Sequence, residues 1–222
     1  MHKKEKIIQA IIQQGVLPLY FHPEESTSVK VLKTLYEAGI RVVEYTNRGK
    51  SAFRNFRSLK KLCNKQFPEM ILGLGTVLDS KAALKAIDLG AEFLVSPGYS
   101  KEIARLSDDE NTLWIPGCIT ATELMQVQAS GPGFVKIFPA HFVGPAFIKS
   151  MREVFPDLFF MPTGGVNSEN IGSWLKAGAS AVGMGNSLIS QTAMDDRDFE
   201  VIKSKTSELL QQIAALRPSS SK

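Results

Sequence analysis

Two ionisable residues stand inside runs that are otherwise apolar. Lys136 lies between Val135 and Ile137, in a segment closed by Phe138-Pro139, and Glu44 follows Val42-Val43. An ammonium buried without a partner is costly, and burial favours the uncharged amine. A free amine attacks a ketone carbonyl. The protonated imine that follows withdraws electrons and stabilises a carbanion on the neighbouring carbon. A carboxylate beside such a lysine can shuttle protons for imine formation and carbon–carbon cleavage. Both residues also have a plainer explanation: a lysine that snorkels to a rim, or a structural ion pair between the two. On these two segments alone the chemical and the plain explanations stand level.

Glycines supply a second feature. Gly164-Gly165 and Gly183-Met184-Gly185-Asn186-Ser187 each follow an apolar run. Glycine lets backbone N–H groups approach an anion, and a helix N-terminus favours negative charge. Either pair alone is no more than a turn; the two together read as a phosphate cradle, with Arg48 and Thr76 as further contacts to a carboxylate or phosphate. Arg48 is also explained as a solvated rim charge. His22 and His141 have no carboxylate partner visible in the sequence and no metal-ligand spacing, so each reads as a surface or loop residue. Cys118 has no histidine placed to activate it and reads as a packing residue.

The elements that must position these groups show as short apolar runs alternating with amphipathic stretches. The runs are Val16–Tyr20, Arg41–Tyr45, Met70–Leu74, Glu92–Val95, Thr112–Ile115, Phe134–Phe138, Leu158–Met161 and Ala181–Met184. Helical spacing recurs between them, as in Val29–Ala38, Lys81–Leu89 and Asn170–Ala177. Strands apolar on both faces and joined by helices predict a parallel sheet. Eight such repeats in 222 residues fit a closed (β/α)8 TIM barrel better than an open doubly wound sheet. Asn167 and Asn186 fall where a helix N-cap belongs, and Gly90 and Gly178 where a left-handed C-cap is wanted. Residues 1–14 predict an amphipathic N-terminal helix and Asp198–Leu216 a closing one. The expected organisation is one domain over residues 1–222, with 216–222 as a frayed tail. In a barrel of this kind the reacting groups stand at the C-terminal ends of the strands, where Glu44, Lys136 and both glycine pairs fall.

Composition narrows the function classes. The chain is 44% hydrophobic and 22% charged, ordinary for a globular protein. Its formal charge of +4 comes from 26 basic and 22 acidic residues spread along the chain. There is no arginine-rich run and no zinc-finger spacing, which argues against nucleic acid. No stretch approaches the roughly 18 apolar residues of a spanning helix, and the N-terminus lacks a signal peptide's apolar core. Two cysteines, Cys63 and Cys118, far apart, fit a reducing cytoplasm.

An ordered set of segments then resembles the 2-keto-3-deoxy-6-phosphogluconate / 4-hydroxy-2-oxoglutarate aldolases, class I enzymes of the bacterial Entner–Doudoroff route. The likeness runs from about Ile8 to Leu188. Its markers are Gly39–Thr46 (GIRVVEYT), Gly73–Leu78 (GLGTVL), Ala91–Gly98 (AEFLVSPG), Ile115–Gly117, Thr122–Leu124, Val135–Ala140 (VKIFPA) and Pro162–Val166 (PTGGV). The resemblance implies a homotrimeric lyase that needs no metal or other cofactor. It places Lys136 on the Schiff-base lysine and Glu44 on the acid–base glutamate. Arg48, Thr76, Pro97 and Phe138 fall on substrate-pocket positions, and Gly164, Gly165 and Gly185 on the phosphate loops, with Asn186 and Ser187 beside them. The implied partners are a small anionic keto acid and pyruvate, with neither nucleic acid nor membrane. The implied reaction is reversible cleavage to pyruvate and an aldehyde, glyceraldehyde 3-phosphate or glyoxylate. The alternatives are a phosphate-binding isomerase or synthase on the same barrel, and a barrel that has lost turnover. Two departures stand out. Many members carry an arginine at the end of strand one, where this chain has Leu19-Tyr20-Phe21-His22. Many carry a serine after the last glycine of the phosphate loop, where this chain has Asn186.

Overall fold

Each of the eight apolar runs overlaps a strand. The computed structural model describes residues 3–129 and 133–217. Its strands are β1 (Val16–Tyr20), β2 (Val42–Thr46), β3 (Ile71–Gly75), β4 (Phe93–Val95), β5 (Leu113–Ile115), β6 (Gly117–Cys118), β7 (Phe134–Ile137), β8 (Phe159–Pro162) and β9 (Val182–Met184). Several start one residue later than the apolar run does. The helices between them are α1 (Lys3–Gln14), α2 (Glu25–Glu37), α3 (Ala52–Gln66), α4 (Ser80–Asp88), α5 (Lys101–Asp109), α6 (Ala121–Gln128), α7 (Gly144–Val154), α8 (Ile171–Lys176), α9 (Gln191–Asp195) and α10 (Phe199–Leu216). A 3-10 turn, Ala140–Phe142, precedes α7.

All pairings are parallel. Six strands run in the order β5-β4-β3-β2-β1-β9, and three in the order β6-β7-β8. A bridge between Thr163 and Gly183 joins the end of β8 to β9. On the other side, a single stretch of chain serves both sheets. Leu113–Ile115 pairs with β4, and Gly117–Cys118 pairs with β7. The sequence did not announce β6 as a separate strand. Its cause is Pro116, which has no N–H for the ladder and interrupts it. The Pro116 carbonyl instead accepts from the Lys136 N–H at 2.8 Å, handing the chain from one neighbour to the next. The result is a curled parallel α/β sheet.

Alternation along the strands divides the core in two. Leu17, Val42, Phe93, Leu113, Phe134 and Met161 form an inner cluster that Ile7, Ile8 and Ile11 of α1 close from one end. Val43, Tyr45, Val135 and Ile137 belong to the outer layer between sheet and helices. Strand side chains repeat every two residues. Val42 and Phe134 point inward, so Glu44 and Lys136 do too. Truncating an inner ring such as Phe134 or Phe93 to alanine costs about 3–5 kcal/mol, because the packed interior relaxes only partly into the hole.

Local signals explain most helix ends. Asp79 caps α4 by accepting from the Ala82 N–H at 2.7 Å, and Thr120 with Glu123 forms a reciprocal capping box on α6. Gly90 and Gly178 hold the left-handed backbone expected of them, at φ 86° and 100°. Asn167 accepts from the N–H groups of Glu169 and Asn170 and so caps the turn before α8. Asn186 differs from expectation. No helix starts beside it; Gly185–Ile189 is a turn, and α9 starts at Gln191 with Ser190 as its cap. The first two residues of the expected tail are ordered parts of the fold. Leu216 is still helical, and the Arg217 guanidinium donates to the carbonyls of Ile12, Gln13 and Ser180, fastening α10 to α1. Residues 1–2 of the N-terminal helix and 218–222 of the tail lie outside the described residues.

Candidate active site

Glu44 and Lys136 come together inside the curl of the sheet. Lys136 Nζ is 3.8 Å from Glu44 Oε1, and the residues are 4% and 0% exposed. That is ion-pair range but too long for a hydrogen bond. Neither carboxylate oxygen of Glu44 has a hydrogen-bond partner among the described residues. A buried carboxylate in that condition is expensive, by several kcal/mol for an ion after relaxation, and calls for an explanation beyond stability. Lys136 Nζ also lies 5.1 Å from the centre of the Phe138 ring.

Two glycines make room for the pair. A Cβ on Gly75 would come within 1.8 Å of Glu44 Oε1, so no other residue admits the carboxylate there. Gly117 pairs in register with Lys136, and a Cβ on it would fall 2.1 Å from the Pro97 carbonyl oxygen. Thr76 follows Gly75 and holds φ 57°, an uncommon conformation for a β-branched residue and of the kind that gathers at functional sites. Thr76 and Pro97 therefore border the ionisable pair through their neighbours.

Beside this group opens a cleft of about 300 Å³, walled by Leu19, Arg48, Phe138 and Thr163 and by the turns Gly164–Asn167 and Gly185–Ser187. Gly164 and Gly165 are left-handed, at φ 91° and 81°. Arg48 is the charged side chain among the described residues of that wall. Seven predicted residues thus share one cleft: Arg48, Phe138, Gly164, Gly165, Gly185, Asn186 and Ser187. Thr76, Pro97, Glu44 and Lys136 do not line it. Phe138 belongs to both groups and connects them.

Some side chains do other work than the sequence indicated. The Ser187 hydroxyl donates to the Val166 carbonyl at 2.8 Å, which ties the two glycine turns together and spends its proton. His22 is no surface residue: it is 5% exposed, and its Nε2 lies 3.0 Å from Asp195 Oδ1. That hydrogen bond first, and one from Gln191 second, hold the Asp195 carboxyl below its usual range. The partner went unseen because it comes from α9, 173 residues away. His141 is exposed, stacked on Phe142. Cys118 is buried, with its thiol pushed up to about 12, which fits packing and not nucleophilic attack. Leu19, Thr163 and Val166 on the cleft wall were not singled out, and Asn167 was read only as a helix cap. Thr163 had a signal, standing in the same Pro-Thr-Gly-Gly string as the cradle. Leu19 had none, since an apolar strand end resembles any core residue.

A family model described as KDPG and KHG aldolase matches residues 7–205. The chain belongs to this family of aldolases. The 2-dehydro-3-deoxy-phosphogluconate aldolase of Pseudomonas aeruginosa is 29% identical over 203 residues, covering 91% of this chain and 90% of that one. The KHG/KDPG aldolase of Escherichia coli K12 is 29% identical over 198 residues, 87% and 90% of the two. A solved KDPG aldolase from Legionella pneumophila, with pyruvate captured as a covalent carbinolamine intermediate, superimposes with a TM-score of 0.84 at 27% identity, over 91% of this chain and 97% of that one. Family membership makes the protein a lyase, and the parallel curled sheet is the one its relatives share. Among the described residues no helix is long and apolar enough to cross a membrane.

Proposed function

We propose that the protein reversibly cleaves a 2-keto-3-deoxy-6-phospho sugar acid or 4-hydroxy-2-oxoglutarate to pyruvate and an aldehyde, through a Schiff base on Lys136. The observation that carries this reading is the juxtaposition, 3.8 Å apart, of a buried amine and a buried carboxylate with no hydrogen-bond partner among the described residues, beside a glycine-walled cleft that shares Phe138 with them. The curled sheet is read as the closed (β/α)8 barrel, with its reacting groups at the C-terminal strand ends, as in other enzymes of that architecture.

The chemistry follows from the geometry. The free amine of Lys136 attacks the C2 ketone, and the carbinolamine loses water to give an iminium. Glu44, through a water, moves protons in that step and then takes the C4 hydroxyl proton. The C3–C4 bond breaks, its electron pair enters the iminium to form an enamine, and the aldehyde departs. Protonation at C3 and hydrolysis release pyruvate and restore the amine. Arg48 and the cleft turns hold the anionic end of the substrate, by charge-assisted hydrogen bonds and backbone N–H groups.

Borohydride reduction in the presence of pyruvate tests the mechanism. The expected product carries a pyruvate-derived mass on Lys136; an unmodified Lys136 peptide overturns it. An isomerase or synthase that used Lys136 only as an acid would form no such adduct, and a coupled pyruvate-release assay separates an active aldolase from a barrel that binds without turnover. We further infer a single domain acting in the cytoplasm as a homotrimer without a metal, in line with the resemblance. Light scattering and activity in the presence of a chelator test the last two.

A further inference from the structure

The loop after β1 and the turn after β9 are joined by consecutive hydrogen bonds. The anchor is His22, whose carbonyl accepts from Ser28 Oγ, Tyr45 Oη and Asn55 Nδ2 at 3.0–3.1 Å, all buried. Its Nδ1 accepts from the Glu24 N–H at 3.2 Å, so the ring proton belongs on Nε2, which faces Asp195 Oδ1 at 3.0 Å. The same carboxylate oxygen accepts from Gln191 Nε2 at 2.9 Å. The Gln191 backbone N–H in turn donates to Asn186 Oδ1 at 3.0 Å.

That last bond fixes which way the Asn186 amide is turned. A backbone N–H needs an acceptor, so the oxygen must face Gln191. The Nδ2 end then has no hydrogen-bond partner among the described residues, while the residue itself lines the cleft. Ser187, beside it, has given its proton to Val166. Among the described residues, the side-chain donors that remain to the cleft wall for an anion's oxygens are therefore Asn186 Nδ2, the Arg48 guanidinium and Asn167 Nδ2, whose Oδ1 is likewise turned to backbone N–H groups.

We propose that Asp195, held by His22, is a positioning residue for Asn186: it fixes α9 so that Asn186 presents Nδ2 to the phosphate of a phosphorylated keto acid. This rests on the aldolase reading for the identity of the substrate, but not for the phosphate contact. The arrangement also accounts for a cradle that works without an arginine at the end of β1, where Leu19 packs against Gly185 and His22 serves as a post for the neighbouring loop.

Asp195 is exposed, and the test is built on its variants, with D195N keeping an acceptor for the buried His22 ring. Binding of inorganic phosphate to the full-length protein is measured by calorimetry, and KM and kcat with a 2-keto-3-deoxy-6-phospho sugar acid and with 4-hydroxy-2-oxoglutarate by pyruvate release. N186A is expected to weaken phosphate and raise KM for the phosphorylated substrate about tenfold, the scale of a hydrogen bond to a charged group. D195A is expected to produce part of that change, roughly threefold, with kcat unaltered. D195N keeps Oδ1 as acceptor for both donors and is expected to match the parent. D195A added to N186A changes nothing further. Equal effects of D195A on both substrates, a fall in kcat, failure of D195N to rescue, or undiminished phosphate affinity in N186A would each overturn the proposal. Normal phosphate behaviour in a protein that fails to trap pyruvate would sink the aldolase reading instead.

Discussion

The ionisable pair and the glycine-walled cleft are built in opposite ways. Glu44 and Lys136 sit on strands of the two sheets, each paired with a neighbour on both sides, and their direction follows from strand period alone. The cleft is built from turns: left-handed glycines, a Ser187–Val166 tie and an asparagine oriented by a helix it does not cap. The pair is rigid and costly to bury; the cleft is open and cheap to alter. Groups that must hold a fixed distance to a reacting carbon belong on the first kind of support. Groups that choose among substrates can vary on the second without disturbing the first. In this chain the departures from the family pattern fall at Leu19–His22, which runs from the end of β1 into the loop after it, and at Asn186 in a turn; Leu19 is the register partner of Glu44, and both ionisable residues are kept.

The contrast is broken most severely from the strand side. K136M is expected to abolish pyruvate trapping and lower kcat by about 10³-fold or more. It also leaves Glu44 buried without its cation, at a cost of about 3–5 kcal/mol in denaturant unfolding. Adding E44Q should restore much of that stability but none of the activity, which separates chemistry from folding in one series. A K136M protein that still releases pyruvate would show that the amine is not the nucleophile.

Next in size is a change that leaves both ionisable residues in place. G75A puts a methyl group where the Glu44 carboxylate lies, 1.8 Å from Oε1. Displacement of a reacting group by about 1 Å costs on the order of 10²-fold, so kcat should fall by that much while KM holds. The same alanine at Gly165 meets the His141 Cβ at 2.6 Å and forces a left-handed φ. G165A should therefore raise KM for a phosphorylated substrate about tenfold with little change in trapping, by strain of about 1–3 kcal/mol in the turn. If G75A moved KM and G165A moved kcat, the division of labour drawn above would be reversed.

R48A is smaller again. Its guanidinium is an exposed member of the cleft wall, so its removal should raise KM about tenfold and become weaker at higher ionic strength. Salt-independent KM in the parent would show that Arg48 is only a rim charge.

How far these two regions could be read from residues alone follows from what makes them. Strands betray themselves by apolar runs, so eight of the nine described were visible, and the inward direction of Glu44 followed from that of Val42. The glycine turns were visible as pairs. What could not be read depended on partners distant in sequence. Asp195 reaches His22 from α9, the Ser187 proton goes to Val166, and Pro116 passes the chain between two sheets by losing a single N–H. The anchoring of Arg217 was hidden for the same reason: only the packed structure shows it bound to the carbonyls of α1.

The smallest effect sharpens the comparison from within the rigid half. Cys63 and Cys118 are buried in the strand-and-helix layer, and burial pushes their thiols up to about 11 and about 12 from an ordinary 9.0. A thiol raised on folding ionises first in the unfolded chain. Between pH 9 and 12 the unfolded state then holds fewer protons than the folded one, and stability falls as pH rises. Below pH 9 both states keep their protons and the two thiols contribute no slope. Denaturant midpoints measured from pH 8 to 10.5 should decline, and less steeply in C63A/C118A. Iodoacetamide should leave both thiols of the native protein unlabelled at pH 8. Labelling of Cys118 under those conditions, with its strand paired to that of Lys136, would mean that the wall around the amine opens, and that the strand-built half of the site is less rigid than its ladder implies.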